Sequence, residues 1–275
     1  MIIGHKDLIA DFKKLAKAGK LAQGYIFFGE PDVGKYYFAR HLANFMENGE
    51  FDLSPRPLQD AMILKDASGI DEMREIKSFL WQKPVISQKR TIVINNAGNL
   101  TPEAQNSILK IVEEPPEHAL IILVLSQPEN LSPALLSRFQ KIHFGRLSDS
   151  EMGQVLSPAC AGMAQAGVND KKIISISRGR PGLAMRLKSD PLMSEADELA
   201  ILFLENDGGA RTEIIKKIVE LQKEKPELLD MFFEAVISKL RVNPIRDYRK
   251  MKATLHRLFL IKSYNVNKRI QLEAI

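Results

Sequence analysis

The chain has 275 residues, 45% hydrophobic and 27% charged, with 39 Lys and Arg against 34 Asp and Glu for a formal charge of +5. That balance describes a globular protein of two or three domains and excludes a disordered, collagenous or fibrous one. A single cysteine, Cys160, excludes an intrachain disulfide or a multi-cysteine metal cluster, and the longest apolar run, 119–125, is too short to cross a bilayer. Cys160, beside Ala161 and Gly162, reads as a small buried hydrophobe. The opening MIIGHKDLIADFKK lacks the basic and apolar regions of a secretory leader, so a reducing cytoplasm is the expected setting. The mild positive charge is spread along the chain and is compatible with a nucleic-acid neighbourhood without requiring one.

In chain order, apolar spacing predicts a helix over 6–17, a strand over 25–28, a Gly-rich turn and a helix over 35–46. A strand over 61–64 is followed by a helix over 70–82, with Ile70, Met73, Ile76, Phe79 and Leu80 at helical spacing. A strand over 91–94 comes next. Thr101 then caps a helix with Pro102 at its first position, and Pro115-Pro116 stops it. Strands over 120–125 and 141–144 bring the number to five. Strands alternating with helices predict a doubly wound α/β unit with a parallel sheet. Beyond Ser148 the pattern is helical only, with helices over 170–177, 182–188, 194–205, 210–223, 226–241 and 245–264. The expected division is 1–147, 148–190 and 191–275.

Residues 29–35, Gly-Glu-Pro-Asp-Val-Gly-Lys, fit GxxxxGK between a strand and a helix. That is the context of a phosphate-binding loop. Glycines let backbone N–H groups turn toward phosphate oxygens, and a lysine reaches the outer phosphates. The candidate binding residues are Gly29, Gly34 and Lys35. The next residue is Tyr36, where the motif places a Ser or Thr hydroxyl on Mg²⁺. A phenol oxygen, held out on a ring, cannot take that place. Asp32 adds a carboxylate inside a loop built for a polyanion.

In phosphate-loop ATPases a second apolar strand ends in an Asp that holds Mg²⁺. Here the strand over 91–94 runs into Asn95 and Asn96. An amide brings no charge to a metal and is a poor general base. The pair also fits the start of an ordinary turn. Either way, hydrolysis by this chain is not expected. The five histidines (His5, His41, His118, His143, His256) are scattered, so no metal site is expected and structural or surface roles are.

The segment 106–116, Asn-Ser-Ile-Leu-Lys-Ile-Val-Glu-Glu-Pro-Pro, resembles the NALLKxLEEPP signature of clamp-loader subunits. Pro128-Glu129-Asn130-Leu131 and Leu136-Ser137-Arg138 are similar to their sensor 1 region and Ser-Arg-Cys motif. Ile3-Gly4-His5, Gly24–Phe27, Ile70–Arg74 and the final segment 265–273 extend the resemblance over essentially the whole chain. It implies an AAA+ phosphate-loop domain with a five-stranded parallel sheet over 1–147, a small helical lid over 148–190 and an all-helical collar over 191–275. With its altered nucleotide motifs the chain is most similar to the delta-prime subunits of the bacterial DNA polymerase III clamp loader.

The resemblance implies a stator that needs no cofactor of its own, binds ATP weakly or not at all and carries no zinc. Its implied partners are the tau/gamma and delta subunits and, through them, the sliding clamp and primed DNA. No membrane partner is implied. In the family the Ser-Arg pair, here Ser137 and Arg138, faces the ATP of a neighbouring subunit, and the Arg acts in trans as a finger; the alternative is an ordinary surface arginine. The chain departs from the family at Phe139, usually Cys, and at Gln23, usually His. It also departs at Gly182, where ATPase members carry a sensor 2 Arg, in the missing zinc module and in a short collar. Two rival readings stay open. One is an active tau/gamma-like AAA+ ATPase; the other is a free-standing DNA-binding relative.

Overall fold

The computed structural model describes residues 2–65, 70–156, 168–240, 247–264 and 266–274. Cys160, Asn265 and the predicted helical residues at 241 and 245–246 lie outside them. The chain divides into two compact units, Met1–Met185 and Arg186–Ile275.

The first unit holds a five-stranded parallel sheet. Its strands are β1 (Gly24–Phe28), β2 (Ala61–Leu64), β3 (Arg90–Ile94), β4 (Ala119–Val124) and β5 (Gln140–His143), in the order β2-β3-β4-β1-β5. Every residue of β3 and β4 is buried. A parallel strand covered on both faces reads as an unbroken apolar run. The edge strands β2 and β5 are only partly covered.

Alternation along the strands sorts side chains to the two faces. Ile26, Ile92, Ile94, Ile121 and Leu123 join a core covered by α3 (Ile70–Trp81), α4 (Pro102–Glu113) and α5 (Pro133–Arg138). Tyr25, Phe27, Val93, Leu120, Ile122 and Val124 join the other, covered by α1 (Lys6–Lys17) and α2 (Lys35–Asn48). That second core is aromatic. Phe12, Phe27, Phe38 and Phe144 meet with centroids 5.1–5.7 Å apart, a geometry that adds to simple burial. Two further helices, α6 (Asp149–Leu156) and α7 (Val168–Ser177), form a small cluster of Leu147, Met152, Leu156 and Ile174 with Ala184 of α8 (Pro181–Ser189).

The second unit is helical among its described residues: α9 (Pro191–Glu205), α10 (Gly208–Glu224), α11 (Leu228–Leu240), α12 (Tyr248–Ser263) and α13 (Lys268–Glu273). Its core gathers Phe203, Ile215, Ile218, Leu228, Phe232, Phe233, Val236 and Leu240. The apolar side chains of these helices therefore form mostly the unit's own interior. Asp197, nearly fully buried, is held by Lys239 at 2.8 Å. No helix among the described residues is long and apolar enough to cross a membrane.

Candidate functional site at the two edges of the sheet

Parallel strands deliver their carboxyl ends to one edge of the sheet, where α/β proteins bind ligands. Ile26 of β1 pairs with Leu123, and Leu123 pairs with Ile94 of β3. The loop after β1 and the two asparagines after β3 therefore leave the sheet at nearly the same level, with β4 between them.

The loop is tightly braced. Gly29 has φ +136°, and a Cβ there would lie 2.4 Å from the Phe144 carbonyl oxygen, so only glycine fits. The Gly29 N–H donates to Ser126 O at 3.3 Å. Asp32 takes a left-handed φ of 66° and Gly34 one of 100° just before α2. His5 Nε2 lies 3.1 Å from Val33 O, and its ring stands edge-on to Phe144. Arg146 forks onto the Glu30 carboxylate with contacts of 3.0 and 2.8 Å. The Gly182 N–H donates to Asp32 O at 2.9 Å, and a Cβ on Gly182 would meet Asp32 at 3.0–3.2 Å. The lack of a side chain at Gly182 thus lets the start of α8 lie directly on the loop.

Lys35, the first residue of α2, is only 6% exposed. Its Nζ donates to Gly29 O at 2.8 Å and to Glu30 O. Burial pushes its pKa down to about 8, partly offset by Asp32 and Glu30. The ammonium is sunk into its own loop. Tyr36 packs against the aromatic core, with the Arg40 guanidinium 5.7 Å from its ring centroid. Half-buried Arg180 stands near the loop. Burial lowers its pKa and the Glu30 carboxylate opposes that.

After β3, the Asn95 N–H donates to Leu64 O at 2.9 Å. Exposed Asn96 is left-handed at φ 51° and starts a short 3-10 turn, Ala97–Asn99. The backbone here has the geometry of a turn start, in which Asn is favoured.

Ser137 and Arg138 lie at the opposite edge. Phe139 is 4% exposed, and a Cβ on Gly24 would sit 2.7 Å from its ring. The residue replacing the family's Cys therefore packs at the amino end of β1. Ser132 caps α5 with Pro133 in its first turn, and Leu135 is fully buried. Arg138 ends that helix with its side chain 39% exposed. Its Nη2 bonds Glu113 Oε1 at 2.9 Å and its Nη1 donates to Ala134 O at 3.3 Å. Ser137 Oγ also donates to Ala134 O, at 2.8 Å.

Two buried residues missed in the sequence hold these parts in place. Gln105 donates to Leu100 O and Asn130 O and accepts the Ser132 N–H at 2.8 Å, tying the start of α4 to the start of α5. Asp60 accepts the N–H groups of Val85, Ile86 and Ser87 at 2.7–2.8 Å and lies 3.6 Å from Arg90. Burial pushes the Asp60 carboxyl up, but those donors and Arg90 outweigh it and leave the pKa below the usual range. Among the described residues, no group of three or more His, Cys, Asp or Glu is arranged to hold a metal ion.

A family described as DNA polymerase III, delta subunit, matches residues 4–148. A DNA polymerase III subunit gamma/tau from Mycobacterium tuberculosis is 28% identical over 176 residues, 58% of this chain and 30% of that protein. A subunit tau/gamma from Haemophilus influenzae is 25% identical over 172 residues, 57% of this chain and 25% of that protein. The matched part is thus under a third of those relatives' length. Among solved structures, a DNA polymerase III gamma subunit-related protein from Thermotoga maritima has a TM-score of 0.55 at 19% identity, covering 95% of both chains. A RuvB mutant from the same organism has a TM-score of 0.50 at 14% identity, covering 98% of this chain and 88% of that one. At these identities the likeness is one of fold.

Proposed function

The chain belongs to the DNA polymerase III, delta subunit, family of AAA+ clamp-loader proteins, and from that premise we propose that it is the delta-prime-like stator of such a loader. In this reading its own nucleotide loop is architecture, and Arg138 with Ser137 serves the ATP of an adjoining subunit. The partners are tau/gamma-type and delta-type subunits and, through them, the sliding clamp and primed DNA in the cytoplasm.

The observation that carries the reading is the separation of the two cations along β1. Lys35 follows the carboxyl end of the strand, while Arg138 directly precedes Phe139, whose ring packs at Gly24 at its amino end. Five residue steps of about 3.3 Å put roughly 16 Å between Gly24 and Gly29. Arg138 is exposed, as a group acting on another chain must be. A guanidinium is permanently charged and forks onto phosphate oxygens. Tyr36, Asn95 and Asn96 supply no Mg²⁺-holding oxygens of the usual kind, and Gly182 supplies no sensor 2 cation. These departures support weak or absent ATP binding and no need for a cofactor. Exposed Tyr248, Leu255, Phe259 and Tyr264 on and just after α12 support a collar that packs against other subunits.

Reassembly of the loader with Arg138→Ala in this chain tests the finger. DNA-stimulated ATP turnover falls while the complex still forms; unchanged turnover sinks the assignment. The relatives named gamma/tau favour a second reading, an active ATPase. It predicts Mg²⁺-dependent ATP turnover by the isolated chain, and the stator reading predicts none.

A further inference from the structure

The helix pair α4 and α5 is joined at both ends by bonds of opposite character. At the start, Gln105 is only 9% exposed, and its amide carries three hydrogen bonds that bind Leu100, Asn130 and Ser132. Breaking that join strands buried polar groups, so it is permanent. At the far end the helices are joined by the bond from Arg138 to Glu113, with both side chains near half exposure. Exposed pairs of this kind are weak, screened by salt and easily exchanged. The pair is a clasp and the amide a hinge pin.

The clasp also sits where a cation is attracted independently of the pairing. Glu113 is the last residue of α4, followed by Glu114 and then Pro115-Pro116. The carboxyl end of a helix carries partial negative charge, which disfavours a carboxylate and favours a guanidinium. The guanidinium has five N–H donors. One is given to Glu113 and one to Ala134 of its own helix. Leu135 and Phe139, buried on either side, fix the backbone that carries it.

We infer that Glu113 is a positioning residue for Arg138, holding the guanidinium at the carboxyl end of α4 until a neighbouring triphosphate draws it away. This rests on the trans-finger reading above. A triphosphate carries several negative charges against the single one of Glu113, and it accepts the same forked geometry. With no triphosphate presented, the arginine stays on Glu113. The clasp makes engagement of the finger conditional on the neighbour's nucleotide, and its weakness makes the exchange reversible.

The test uses the loader reassembled from its full-length subunits, with this chain as wild type, Glu113→Gln, Arg138→Ala or the double variant. Gln keeps the length and a hydrogen-bonding oxygen but removes the charge. Glu113→Gln raises basal, DNA-independent ATP turnover by about two- to five-fold, the worth of one exposed ion pair. The KM for ATP and the DNA-stimulated maximum stay within about two-fold, again on the scale of a single such pair. In the Arg138→Ala background the same substitution changes nothing, because its target is gone; a merely structural role at the end of α4 persists in both backgrounds. If Arg138→Ala alone leaves turnover unchanged, the finger reading fails and takes this inference with it. If Arg138→Ala cuts turnover but Glu113→Gln leaves the basal rate unchanged, or shifts it equally in both backgrounds, the positioning role alone is overturned.

Discussion

The two ends of β1 carry two cations with opposite surroundings. Lys35 is 6% exposed and spends its ammonium on carbonyl oxygens of its own loop. Arg138 has a side chain 39% exposed and is held by one surface carboxylate and one carbonyl of its own helix. Its neighbour Phe139 is buried, so backbone precision and side-chain freedom coexist within two residues. The difference teaches that a phosphate loop can be held by contacts from its own chain. Phe144, Ser126, Gly182, His5 and Arg146 brace it from several sides.

The sharpest way to break this comparison is at Gly29. If the loop is architecture, Gly29→Ala destabilises the protein rather than merely weakening ligand binding. The new Cβ meets a backbone oxygen at 2.4 Å with φ at +136°. The expected cost is about 3 kcal/mol, or roughly 6–12 °C in the thermal midpoint, seen by calorimetry without nucleotide. A variant as stable as the wild type would show that the bracing is slack. At the other end of the strand, Gly24→Ala drives a methyl to 2.7 Å from the Phe139 ring, which can yield as backbone cannot. A loss of about 1–2 kcal/mol is expected, smaller than at Gly29. A larger loss at Gly24 would reverse the ranking of the two edges.

A further effect is electrostatic and appears only as a dependence on pH. The Lys35 pKa falls to about 8 in the folded chain, against an ordinary value of 10.5. Between those values the unfolded chain holds the proton and the folded chain does not. This group therefore makes stability rise with pH across the window, by at most about 1.4 kcal/mol per pH unit. Lys35→Met removes that rise in denaturant titrations at pH 8–10. Identical slopes for the two proteins would mean the ammonium is not sunk as described.

The sequence made local features legible and left distant partnerships unread. β1, β3, β4 and β5 begin and end within one residue of their expected bounds, since apolar strands and short polar connections mark themselves. Thr101 was readable as a cap because its partner is Ala104, three residues on. Helix α5 leaves no helical signature in the apolar pattern, because six residues make under two turns and show no period. Its one local mark is Ser132-Pro133, the cap and first residue. Asp190-Pro191 likewise sets the start of α9 three residues before the expected one, with Asp190 accepting the Leu192 N–H. Around the loop, Gly29, Gly34 and Lys35 form a motif. The clamp from Arg146 onto Glu30 joins residues 116 apart, and Gln105 meets Ser132 across 27. Such pairs are set by how the chain crosses itself, which periodicity does not report.

The central claim is that phosphate chemistry has moved from one end of β1 to the other. Its most direct test is ATP turnover by the DNA-stimulated loader carrying either Lys35→Met or Arg138→Ala in this chain. The account predicts that Lys35→Met leaves turnover near that of the wild type, while Arg138→Ala lowers it at the adjoining site by a factor on the order of 10³. Loss with Lys35→Met and full activity with Arg138→Ala would contradict it.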